Sequence, residues 1–217
     1  MSKRIYLGFE YSFLFFGIPL YLYFFPELVF RPIAFLLPVV AVIIFYLLRS
    51  PEFKWKELVR LKVSGKLWLI NLAMLFIVGV LMILAVYFFD RENLFNLPRM
   101  NTRLWLMFCV FYPLFSASIQ EVIFKSFFFR RYAALFRKSG LLIAASGLAF
   151  SFIHIVYYSL VSLLLSLTMG IYLAYLYNKT KSVLFVTILH GIFGIMAFSF
   201  GLGQHFWLDM FEYIRSF

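Results

Sequence analysis

SASIQEVIFKSFFFRRY, residues 116–132, is an apolar run that takes in Gln120, Glu121 and Lys125 before it closes on two arginines. A carboxylate in hydrocarbon costs several kcal/mol even on cautious scales, so such a group normally faces a bundle interior with a partner. Glu121 precedes Lys125 by four residues, acid on the N-terminal side, which is the favourable order for an ion pair on a helix. The plain reading is a self-neutralising pair that holds neighbouring helices together. A sharper one depends on which other polar groups share that interior.

The rest of the chain confirms the apolar setting. Of 217 residues, 65% are hydrophobic and 23% aromatic, against 13% charged. No soluble core of this length needs so much apolar surface, so the chain reads as an all-α, polytopic transmembrane helix bundle. Lys and Arg number 20 against 9 Asp and Glu. They sit in short connectors between apolar runs, which fits membrane orientation and argues against a nucleic-acid partner. Cys109 is the single cysteine, so an intramolecular disulfide is excluded. The basic MSKR start runs into aromatic residues without a small-residue cleavage site, and reads as a retained first span.

At about 20 apolar residues per crossing, spans are predicted near residues 5–25, 32–48, 67–89, 104–129, 141–156, 160–177 and 183–200. The tail FWLDMFEYIRSF (206–217) is a candidate eighth, interfacial or re-entrant helix. The chain is thus one membrane domain of seven to eight spans, with N-terminal spans over 1–100 and a polar-residue-bearing core over 104–200. Basic residues collect in alternate connectors: Lys3 and Arg4, then 49–66, then Arg130 to Lys138, then Lys179 and Lys181. By the positive-inside rule that side, with the N-terminus, is cytoplasmic. Within it, PEFKWKELVRLKVSGK (51–66) mixes apolar and basic residues at spacing that predicts an amphipathic helix on anionic lipid. His205 and Trp207 are predicted at the opposite interface.

Few polar residues fall inside spans: Glu10, Asn71, Gln120, Glu121, Lys125, His154 and His190. At about 1.5 Å per residue, Glu121 lies roughly 13 Å and His190 roughly 12 Å from the cytoplasmic ends of their helices. Those depths match, whereas His154 comes out deeper, at roughly 20 Å. A carboxylate and two imidazoles in a dry pocket suit two chemistries. Glu121 and a histidine activate water while the second histidine donates to the oxyanion of a peptide bond; or all three ligate zinc, whose bound water attacks. HExxH and cysteine clusters are absent, so no cofactor is expected and zinc is the alternative.

QEVIFKSFFFRRY (120–132), FSFIH (150–154) and TKSVLFVTILHGIFG (180–194) resemble, in order and spacing, the three motifs of the CAAX-protease and bacteriocin-processing family of glutamic-type intramembrane proteases, EExxxR, FxxxH and HxxxN. The resemblance implies an endopeptidase acting on a membrane-associated peptide or protein within a lipid bilayer, placed here in a bacterial inner membrane. It implies Glu121, His154 and His190 as catalytic residues, with Gln120, Lys125, Phe150 and Gly194 in supporting or water-positioning roles. Three positions depart from the pattern: Gln120 stands for the first Glu, Lys125 for Arg, and Gly194 for Asn. Gln120 cannot take up a proton, so Glu121 is expected to replace it as base. The competing expectation is a catalytically inactive relative acting as a peptide-binding or immunity-type membrane protein. A proton-relay transporter fits less well, because no internal repeat is visible.

Overall fold

The structure, a computed structural model, describes residues 3–25, 32–50, 53 and 55–206, with only the backbone for 32–37 and 39. Among these residues there is no strand. Helix α1 spans Lys3–Phe24, α2 Pro32–Arg49 and α3 Gly65–Phe89. They are followed by α4 (Thr102–Leu135), α5 (Ser139–Tyr157), α6 (Leu160–Thr180) and α7 (Val183–Phe200). All but α2 are long and apolar enough to cross a bilayer; the described apolar part of α2 is the shorter Val40–Arg49. Helices therefore stand at all seven predicted places, and the protein is an integral membrane protein. Leu69, Phe76 and Phe88 of α3 lie open on the outer surface, an apolar exposure that lipid, not water, would cover. Trp207 and the tail beyond Phe206 lie outside the described residues.

The segment 51–66 is not the predicted amphipathic helix. Among its described residues only Trp55–Glu57 makes a helical turn, and α3 begins at Gly65. The segment is instead tied to the bundle by tertiary contacts. Glu57 pairs with Arg130, whose guanidinium lies over the Phe53 ring, and Ser182 Oγ donates 2.5 Å to the Arg60 carbonyl. Phe53 and Leu58 pack against the core while Trp55, Val59 and Leu61 stay exposed, so the apolar residues share no helical face.

α7 sits at the centre, packed against α3, α4 and α6. α5 and α6 form the tightest pair, because small residues let the backbones approach. A Cβ on Gly147 would lie 2.4 Å from Ile171 Cγ1 and 2.8 Å from the Ile171 nitrogen. Ser151 Oγ also donates 2.8 Å to the Leu163 carbonyl across this seam. α1 closes over α4 and α5: Tyr11 packs edge-on against Phe128, and its hydroxyl donates 3.3 Å to the Ala145 carbonyl.

Glu10 belongs to this docking surface. Its carboxylate accepts from Arg131 at 2.8 and 2.5 Å and from the Tyr132 hydroxyl at 2.8 Å. The same end carries the Arg4 guanidinium on the Leu135 carbonyl at 2.9 Å. At the opposite end, His205 bonds Ser159 Oγ at 3.1 Å, which holds the chain after α7 against the start of α6. Gly147→Ala is expected to separate α5 from α6 and lower stability by about 1–3 kcal/mol, read by thermal unfolding in detergent micelles; an unchanged midpoint would contradict the close crossing.

Candidate active site

α4 is irregular where its polar residues fall. π-helical turns occupy Tyr112–Ala117 and Val122–Phe127, on either side of the short α-helical turn Ser118–Glu121. Each widened turn shifts the helix register and leaves backbone groups for other partners, which is why such turns recur at functional sites. One freed carbonyl, that of Phe124, accepts 2.7 Å from Ser146 Oγ of α5. Inside this stretch Glu121 and Lys125 are both fully buried.

Glu121 is held from two sides. Oε1 accepts a 2.8 Å hydrogen bond from His190 Nδ1 of α7, and Oε2 lies 3.5 Å from Lys125 Nζ. The ammonium also lies over the Phe150 ring of α5, 5.2 Å from its centroid. The carboxylate makes no hydrogen bond or ion pair with His154. A carboxylate oxygen only accepts, so Nδ1 of His190 carries hydrogen, and in the neutral ring Nε2 carries the lone pair. That nitrogen meets the Tyr112 hydroxyl at 3.0 Å.

His154 occupies the 3₁₀ turn Ile153–Tyr157 that ends α5. Its Nδ1 lies 2.8 Å from the Phe150 carbonyl, an acceptor that places the hydrogen on Nδ1 and the lone pair on Nε2. The Phe150 ring stands between the imidazoles, 5.0 Å from His154 and 5.4 Å, edge-on, from His190. His154 and His190 both line a cavity of about 380 Å³, together with Tyr112, Gly194 and apolar residues of α3 and α6 such as Met82 and Met169. Glu121 is not among the lining residues. Glu121 thus meets His190, and His154 shares the cavity lining with that histidine.

The supporting positions divide. Phe150 is central, with its carbonyl on His154 and its ring beside Lys125. Gly194 lines the cavity, but a Cβ there would lie 2.1 Å from Tyr112 Cε1, so glycine makes room for that ring. Gln120 is outside the cavity lining and donates 2.9 Å to Ser116 Oγ one turn back in its own helix. Glu10, at its ion pair with Arg131, is likewise not among the lining residues.

The zinc alternative would need Glu121, His154 and His190 around one ion. Glu121 and His190 spend Oε1 and Nδ1 on each other, and the Phe150 carbonyl takes Nδ1 of His154. Among the described residues no three His, Cys, Asp or Glu side chains stand where a metal ion could be held. Tyr112 went unmarked in the sequence, as one of 14 tyrosines in an apolar run. Its only signal is the unusual Gly194 opposite it.

Residues 102–196 match the family described as type II CAAX prenyl endopeptidase Rce1-like. The match covers α4 to α7 and takes in all three motifs. No curated protein and no solved structure matches the chain.

Removing Lys125 strands a buried carboxylate in a low-dielectric interior. Lys125→Met is expected to cost about 3–5 kcal/mol of stability, and Glu121→Gln in the same chain to recover most of it. Unfolding midpoints of the single and double variants check this.

Proposed function

We propose that the chain is an intramembrane endopeptidase that hydrolyses a peptide bond in a membrane-associated peptide or protein. The family match over α4 to α7 supports the reaction class. The observation that carries the mechanism is the shared cavity of about 380 Å³ onto which His154 and His190 both open, each with Nδ1 engaged by a fixed acceptor. An imidazole whose Nδ1–H is committed presents a basic Nε2 at a defined place.

In this reading His154 is the general base. Its Nε2 takes a proton from water as the water oxygen bonds the scissile carbonyl carbon. The same nitrogen then returns the proton to the departing amine as the C–N bond breaks. His190 forms the wall on the carbonyl side. Glu121 acts through His190 and not as the base itself. Lys125 balances its charge. Phe150 supports both imidazoles, and Gln120 has no part in the chemistry.

The substrate is a peptide segment reaching the cavity from the lipid side, past the apolar walls of α3 and α6. In this reading the membrane is a bacterial inner membrane, and the distribution of basic residues favours a cytoplasmic N-terminus and Arg130–Arg131 end. Gln120, standing where a carboxylate is usual in the motif, favours one second reading, an inactive peptide-binding or immunity-type protein.

Cleavage of membrane-anchored peptides by the purified protein in liposomes decides between them. His154→Ala is expected to lower kcat/KM by about 10²- to 10⁴-fold. Gln120→Glu is expected to leave it within about threefold, because the side chain faces Ser116 and a base is already in place. A silent wild type that Gln120→Glu switches on would instead establish the inactive-relative reading, and full activity of His154→Ala would remove the assigned base.

A further inference from the structure

Resting on the endopeptidase reading, we propose that the Tyr112 hydroxyl is the hydrogen-bond donor to the oxyanion, a catalytic role carried by α4 beyond the three motifs. The case begins with a proton count at His190. Glu121 pairs with Lys125 through one oxygen and accepts from His190 Nδ1 through the other, so the imidazole spends that hydrogen on the carboxylate. With its hydrogen on Nδ1 facing Glu121, neutral His190 has only a lone pair at Nε2. It cannot donate to a negative oxygen from that side. The group at Nε2 that does carry a hydrogen is the Tyr112 hydroxyl, 3.0 Å away and on the cavity wall.

The ring is held so that only the hydroxyl hydrogen has freedom. Phe108 stacks on it with centroids 4.7 Å apart, and the Phe198 ring lies 6.3 Å from it. Its far edge fills the space left by the missing side chain of Gly194, where an added Cβ would stand 2.1 Å from Cε1 and 2.6 Å from the hydroxyl oxygen. Gly191, one turn earlier, gives the same close approach to Pro113, since a Cβ there would lie 2.9 Å from Pro113 Cβ. Two glycines of α7 therefore seat the π-helical turn that begins at Tyr112.

The step balances. Water attacks the carbonyl carbon, its proton passes to Nε2 of His154, and the carbonyl π-electron pair moves onto oxygen. As that oxygen becomes negative, the Tyr112 O–H turns from His190 Nε2 to donate to it, with the proton staying on Tyr112. When the C–N bond breaks, the pair returns to the carbonyl, His154 gives its proton to the amine, and the Tyr112 hydroxyl turns back to His190. No further reactant is required.

Tyr112→Phe keeps the ring and removes the donor. It is expected to lower kcat by about 10²- to 10³-fold with KM changed by no more than about threefold, as for loss of one oxyanion donor, and to leave the unfolding midpoint in detergent close to wild type. Gly194→Ala, which must push the ring away, is expected to show a comparable kcat loss, and combining it with Tyr112→Phe to lower kcat little further. Should the Phe variant not be recovered folded, 3-fluorotyrosine at position 112, a stronger donor of nearly the same size, is expected to shift kcat and its pH profile. A Tyr112→Phe enzyme with wild-type kcat, or a fluorotyrosine enzyme with an unchanged profile, overturns this assignment alone, provided that His154→Ala lowers kcat/KM as expected above. A wild-type chain that cleaves no peptide overturns the endopeptidase reading and this inference with it.

Discussion

The buried carboxylate of Glu121 is the constraint around which the site is built. A charge at that depth persists only where it is neutralised and hydrogen-bonded, and here Lys125 does the first and His190 the second. Each partner passes the constraint outward. Lys125 lies over Phe150, whose carbonyl holds His154, and His190 meets Tyr112 with its other nitrogen. The tautomers of both histidines follow from this arrangement, since each Nδ1 faces a group that can only accept. One ion pair on α4 thereby orders side chains on α5 and α7, and both imidazoles line a single hollow.

The spans were legible because their physical cause is simple. Hydrocarbon thickness sets a minimum apolar length, and runs of that length are visible without knowledge of tertiary structure. The predicted limits of the last span, 183–200, are those of α7. The segment 51–66 failed for the opposite reason. Its alternation of apolar and basic residues describes amphiphilicity, but its conformation is fixed by partners distant in the chain, Arg130 on Glu57 and Ser182 on the Arg60 carbonyl. Local patterning carries no information about those partners.

For the site, one pairing was readable and direction was not. Counting residues put Glu121 and His190 at one level, where they bond, and left the level of His154 open. The azimuth of each side chain depends on helix register, and the π-helical turns at Tyr112–Ala117 and Val122–Phe127 alter that register on both sides of Glu121. No periodicity rule signals such turns in a run where nearly every residue is apolar. Hence Gln120, adjacent to Glu121 in sequence, points along its own helix to Ser116, and Tyr112, nine residues away, reaches His190.

The departures from the EExxxR, FxxxH and HxxxN pattern have different physical standing. At 194 the missing side chain creates a space, and the space is filled by an aromatic ring whose hydroxyl reaches the same imidazole. At 125 lysine keeps the positive charge beside Glu121 and gives up the two-pronged geometry of arginine, which matters little when one carboxylate oxygen is already committed to His190. At 120 the amide is absorbed by a serine of its own helix, and nothing from another helix takes up the proton-accepting capacity that a glutamate would have had. Under the proposed function, a site with an amide at 120 and two imidazoles whose Nδ1 atoms face acceptors would route its protons through nitrogen, at the Nε2 atom of His154.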